Sequence, residues 1–204
     1  NPNKFKNLNY LIKNKKFTNN LISNVSSISE LINKKNYNSV ILNYDTDIND
    51  LCFWYQQLMA ESLGKKGKGI FPIISTLPKD NHSLFQLFLD GPKNNFFTIF
   101  FSKHAGKINL SNYFLPKKFQ YLKGKNLENI LFSQKKSSEN VFIKKQIPYR
   151  SFYILEKNEE QLGVLFTFFV LETILLSKFL KINPFDQPAV ESIKKSTKNI
   201  LLNI

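Results

Sequence analysis

The sequence predicts an α/β domain: a three-layer αβα sandwich around a mainly parallel sheet, with helical extensions at both ends. Three observations predict it. Short β-branched or aromatic runs (SVILNY, GIFPIIST, NFFTIFFS and RSFYILE) are spaced along the chain. Stretches of helical periodicity separate them, and chains that alternate in this way build parallel sheets covered on both faces. A length of 204 residues, 42% of them hydrophobic, is enough for one well-cored domain. The expected division is a helical and linker segment over 1–38, then one domain over 39–204 with a closing helix.

Each element follows from local pattern. Residues 1–38 are rich in Asn, Lys and Ser with modest apolar clusters such as LNYLI, and read as short helices and linker. SVILNY, 39–44, is a strand followed by Asp and Thr turn residues. From Asp47, the residues Ile48, Leu51, Cys52, Tyr55, Leu58 and Met59 recur at helical spacing. Gly64 is placed to end that helix in the left-handed conformation. GIFPIIST, 69–76, is a second strand, weakened at Pro72. Asp80 or Asn81 can cap a helix through SLFQLFL, which Gly91 and Pro92 close. NFFTIFFS, 95–102, is a third strand, and 103–125 reads as irregular. A helix over about 127–145, a strand over 150–156 and a long helix from Glu159 to about Lys181 follow. Pro184 and Pro188 break the chain before a last helix, in which Val190, Ile193 and Ile200 are expected to face inward. A fifth strand could lie in the irregular parts.

The net charge of +14 is built from lysine, 28 Lys against the single Arg150. A nucleic-acid reader more often gathers arginines on one element for bidentate contacts. Scattered lysine, with abundant Asn, looks more like coding-DNA composition. The lone Cys52 excludes an internal disulfide and suits a reducing compartment. LGVLFTFFVL, 162–171, is too short to span a bilayer before Glu172 interrupts it, and suits a buried core helix. The chain begins at Asn1 with no visible signal peptide, so a fragment or processed piece is expected.

The stretch AESLGKKGKG, 60–69, suggests a phosphate cradle. Gly64 and Gly69 have P-loop spacing, but Ile70 stands where the lysine belongs. The stretch also joins a helix to a strand, the reverse of a cradle that feeds a helix N-terminus. By residue pattern alone Glu61 is a last-turn surface carboxylate and Lys194 a surface lysine able to pair with Glu191. His82 starts a helix at the carboxyl edge of a strand, where ligands of such folds bind. It is either a proton shuttle or a half-buried helix-start residue. His104 has no comparable context.

Three motifs point further. QQLMAESLGKKGKG resembles the Q-x-x-x-E-S-x-G-K segment of the glucose-6-phosphate isomerases. KDNHSLFQLFLDGPK resembles their segment with a catalytic His before a Q-L pair, and NPFDQPAVESIKK their closing signature F-D-Q-x-G-V-E-x-x-K. All three stand in the family's order between residues 51 and 198, so the chain resembles the carboxyl-terminal sugar-isomerase domain of that family. The resemblance implies a metal-free and cofactor-free aldose–ketose isomerase in the cytoplasm. It would interconvert glucose 6-phosphate and fructose 6-phosphate through ring opening and a cis-enediol. Glu61 matches the base that carries a proton between C2 and C1, a role helped by partial desolvation. His82 and Lys194 match the ring-opening pair, Gln57 a substrate-contacting glutamine and Gln187 a residue near the sugar. The lysines around Glu61 acquire no role.

Geometry adds one expectation. Glu61 precedes the strand at 69–76 and His82 follows it, and eight residues of strand span roughly 26 Å. A single site using both needs His82 from a second chain, and the resemblance implies such a homodimer. Two departures stand out: Ala189 replaces the signature glycine, and nothing matches the family's amino-terminal domain. That domain carries the phosphate loop and a Gly-Gly-Arg segment, which Arg150 does not match. The chain is therefore expected to be incomplete as an enzyme. The rival readings are a non-catalytic sugar-phosphate-binding domain of the same fold and a basic nucleic-acid-binding module.

Overall fold

The computed structural model describes residues 8–103 and 115–203. Four strands form the sheet: β1 (Asn38–Asn43), β2 (Phe71–Thr76), β3 (Asn95–Ser102) and β4 (Tyr149–Ile154). Their order is β2-β1-β3-β4 and every pairing is parallel. β1 pairs from Asn38↔Phe71 on one side and Asn38↔Asn95 on the other, so the chain reverses its winding direction between β1 and β3. The helices are α1 (Leu8–Leu11), α2 (Lys15–Asn33), α3 (Asn49–Leu63), α4 (Phe85–Asp90), α5 (Leu127–Lys144), α6 (Glu159–Leu180) and α7 (Pro188–Leu201). Short 3₁₀ segments sit at Thr46–Ile48, Lys79–Asn81 and Lys117–Leu122.

The strand pleat sorts two cores. Ile41, Phe96 and Phe100 point to one face, where α2, α3 and α6 cover them with Ile28, Tyr55, Met59 and Phe169. Val40, Leu42, Phe97, Ile99 and Phe101 point to the other, against Phe88 of α4 and Leu131 and Phe142 of α5. Side chains alternate faces along a strand, and β3, covered on both, is buried from Phe96 to Ser102.

The outer edges differ. β2 carries Pro72, and the Pro72 carbonyl accepts from the Gln56 side chain (3.1 Å); proline belongs on such edges because it has no N–H to offer. Under the sheet, Glu172 of α6 is fully buried and salt-bridged to Arg150 of β4. Asn24 and Tyr55 also donate to Glu172, and the Arg150 Nε donates to Thr98 Oγ1 at 2.9 Å. Burial works against the guanidinium's charge, but Glu172 and then Tyr55 more than offset it and hold its pKa above the ordinary arginine value. Arg150 thus has a structural post.

Several expectations change. Residues 15–33 form one 19-residue helix in place of short helices and linker, started by Asn14, whose side chain accepts from the Lys16 and Phe17 amides. Leu21, Ile28 and Ile32 on it reach the core, and tertiary burial of one face makes helices from sequences of modest propensity. Gly64 ends α3 at φ −77°, not left-handed. The left-handed ends fall instead on Lys35, Gln146 and Lys181. Asp80 does not cap a helix; its carboxylate accepts from the Thr76 amide (2.8 Å) and the Ser75 hydroxyl (3.0 Å). Val190, Ile193 and Ile200 are 41%, 66% and 59% exposed, because none of the described elements covers α7. The described residues form no fifth strand. His104 and residues 105–114 of the stretch read as irregular lie outside the described residues. α6 proves long and apolar enough to cross a bilayer by length and composition. Here it buries Phe168, Phe169, Leu176 and Leu180 in the core.

Candidate active site

α3 buries Leu51, Cys52, Tyr55, Met59 and Leu63. Gln57 and Glu61, four residues apart, therefore share its solvent face. The Gln57 side-chain amide donates to Glu61 Oε1 at 2.8 Å. After α6 the chain turns through 182–187, where the Phe185 amide donates to the Asn183 side chain (3.1 Å). Pro188 then opens α7. The turn carries Gln187 to Glu61 from the far side, where its amide donates to Oε2 at 3.0 Å. Each carboxylate oxygen thus accepts one N–H from a separate segment and keeps a lone pair for a proton. Glu61 and Gln187 border a cleft of about 240 Å³ lined also by Gly64, Lys65, Asn183 and Asp186. Glu61 itself is exposed, so the desolvation that would favour a base is not supplied by the described residues.

The glycine-rich stretch is a hairpin. Lys65 and Lys68 exchange backbone hydrogen bonds around Lys66 (φ 53°) and Gly67 (φ 69°), the two positive φ values of a type I′ turn. Gly69 has φ 128°, and a Cβ there would fall 2.7 Å from the Leu63 carbonyl oxygen. Gly69→Ala should therefore cost ~1–3 kcal/mol of stability, read as a lowered urea midpoint; a midpoint within error of the parent chain would refute this. The lysines are not idle. Lys65 Nζ donates to the Asn183 carbonyl (2.6 Å) and pairs with Asp186 (3.1 Å), and Lys68 Nζ donates to the Leu180 carbonyl (2.8 Å). No spacing rule could have found these contacts, since Lys65 and Asn183 are 118 residues apart.

The remaining candidates stand elsewhere. Lys194 lies on α7 and pairs with Glu191 at 2.7 Å, both exposed. His82, also exposed, directly follows the 3₁₀ turn after β2. α3 runs back against the strands, so Glu61 sits at the edge where β2 begins and His82 where it ends. The six residues of β2 put roughly 20 Å between those edges. At the carboxyl edge, the usual ligand position for such sheets, buried Asp45 accepts from the Ser102 hydroxyl and the Asp47 amide and pairs with Lys157 at 3.2 Å. No cluster of three or more His, Cys, Asp or Glu among the described residues could hold a metal.

No protein-family model matches the chain. Among curated proteins it is 34% identical over 192 residues to the glucose-6-phosphate isomerase of Fusobacterium nucleatum, covering 89% of this chain and 41% of that protein. It is 33% identical over 171 residues to the one of Mycoplasmopsis synoviae, covering 80% and 39%. A hypothetical protein of Thermus thermophilus has a similar fold (TM-score 0.74, 24% identity, 85% of this chain and 44% of that one). So does a glucose-6-phosphate isomerase of Chlamydia trachomatis (TM-score 0.63, 16% identity, 81% and 34%). The chain is thus a relative of the glucose-6-phosphate isomerases, spanning about two fifths of the length of the curated relatives it matches.

Proposed function

We propose that this chain is the carboxyl-terminal part of a cytoplasmic, metal-free isomerase that interconverts glucose 6-phosphate and fructose 6-phosphate. The observation that carries the reading is the convergence of Gln57 and Gln187 on the two oxygens of Glu61. A carboxylate held from both sides is oriented for a proton at a defined place. Glu61 removes the C2 proton of the opened sugar, the electron pair forms the C1=C2 bond as the C1=O π pair moves onto O1, and O1 takes a proton from solvent to give the cis-enediol. The same carboxyl group then returns its proton to C1 as the C1=C2 pair forms the new C–H bond and the C2 hydroxyl gives its proton to solvent to become the carbonyl. Lys194 and His82 assist ring opening, with His82 supplied by a second copy across a homodimer, because it and Glu61 occupy opposite edges of one sheet.

The chain is incomplete in this reading. Glu61 lies open, α7 exposes Val190 and Ile193, and Phe185 beside it is 80% exposed. Polypeptide outside these 204 residues would cover them and bring the phosphate loop and an arginine for the enediolate, an electrostatic contribution that is commonly large. The chain assayed alone should give no isomerisation above background, and addition of the rest of the enzyme should restore it. Full turnover by the isolated monomer would overturn both the incompleteness and the shared site.

Nucleic-acid binding ranks lower. The single arginine is taken up inside the domain by Glu172 and Thr98, and Lys34, Lys144 and Lys178 complement the dipoles of the helices they end.

A further inference from the structure

We propose that Lys65 and Asp186 form a positioning clamp that holds the loop after α6 so that Gln187 reaches Glu61. This rests on the reading of Glu61 as the base. The Lys65 side chain is only 8% exposed, although it sits in a hairpin at the protein surface. Taking an ammonium out of water is unfavourable unless acceptors replace the water. Two do: the Asn183 carbonyl at 2.6 Å and the Asp186 carboxylate at 3.1 Å. Both belong to the segment that ends in Gln187, and Asp186 is its immediate neighbour.

The hairpin begins directly after α3, which carries Gln57 and Glu61. Lys65 therefore joins the two walls of the cleft, α3 with its hairpin on one side and the 182–187 loop on the other. Lys68 adds a second tie, to the Leu180 carbonyl at the end of α6. A hairpin needing only solubility could leave Lys65 in water, as Lys66 is. The hydrogen bond from Lys65 also holds the Asp186 carboxyl below the usual aspartate range, as an ion pair requires. Without the clamp, Gln187 rests on an exposed loop with one side-chain hydrogen bond, to Glu61 itself, to aim it. Glu61 then keeps only its partner on the same helix.

The test has two readouts. In this chain, the Gln187 side-chain amide should show NMR contacts to the Glu61 side chain that Lys65→Met and Asp186→Asn each abolish. Lys65→Arg should keep them in part, and the far-UV spectrum should not change. In the enzyme completed with its remaining polypeptide, Lys65→Met should lower kcat by ~10- to 100-fold, the scale of a misplaced catalytic group, with KM changed less than kcat. Persistence of the Gln187–Glu61 contacts in Lys65→Met overturns the clamp, whatever the activity. Loss of the contacts with unchanged kcat overturns its catalytic purpose. Loss of the contacts in an enzyme with no isomerase activity even before substitution leaves the clamp standing and removes the reading of Glu61.

Discussion

Glu61→Gln in the completed enzyme should lower isomerisation by ~10²- to 10⁴-fold, the range for loss of a positioned general base, while glucose 6-phosphate still binds. The substitution keeps the side chain's shape and removes its ability to take a proton. It also replaces one carboxylate oxygen by an NH₂ group, so either Gln57 or Gln187 loses its acceptor. The damage should fall on kcat, since the interaction lost is one made with the reacting carbon in the transition state. Steady-state kinetics with parallel calorimetric binding of the sugar phosphate checks this. Weakened binding with an unchanged turnover number would make Glu61 a substrate contact and overturn its role as the base.

Glu172→Leu should destabilise the chain by ~3–5 kcal/mol, the cost of leaving a buried charge without its partner. That is a large part of the total stability of a typical domain, about 5–15 kcal/mol. Glu172 is 0% exposed and accepts from Arg150, Tyr55 and Asn24, so its loss removes the charged acceptor shared by three elements and leaves the Arg150 guanidinium with neutral partners only, Thr98, Asn24 and Tyr55. Arg150→Met should cost less. It strands the carboxylate, but Tyr55 and Asn24 still donate to it. The double substitution should be more stable than the sum of the singles predicts, since an apolar pair leaves no charge to satisfy. Urea unfolding of the four proteins decides. Additive losses would mean that the two residues act independently and that their contact contributes little.

Much of the fold was legible because its signals are local. β3 is found at the residues its pattern predicts, and α3, α5, α6 and α7 differ from their sequence bounds by a few residues at most. Periods of two and about three and a half are set by backbone geometry and show in any short window. α2 escaped because its Asn- and Ser-rich face resembles linker and only the packing of Leu21, Ile28 and Ile32 makes it a helix. The inward face assigned to α7 failed for a related reason. Amphipathic spacing says that one face seeks cover, not that cover is present in this stretch of chain.

The site divides in the same way. Gln57 beside Glu61 is a consequence of spacing on one helix, and the sequence by itself determined that pair, together with the separation of Glu61 from His82 by a strand. The second partner of Glu61, the ties of Lys65 and Lys68, and the burial of Arg150 on Glu172 were decided by the tertiary structure alone. Each joins segments that meet only after the sheet has formed and α6 has packed beneath it. Local backbone geometry limits which residues share a face, but the partner across a gap of 118 or 126 residues is chosen by the packing of the whole domain.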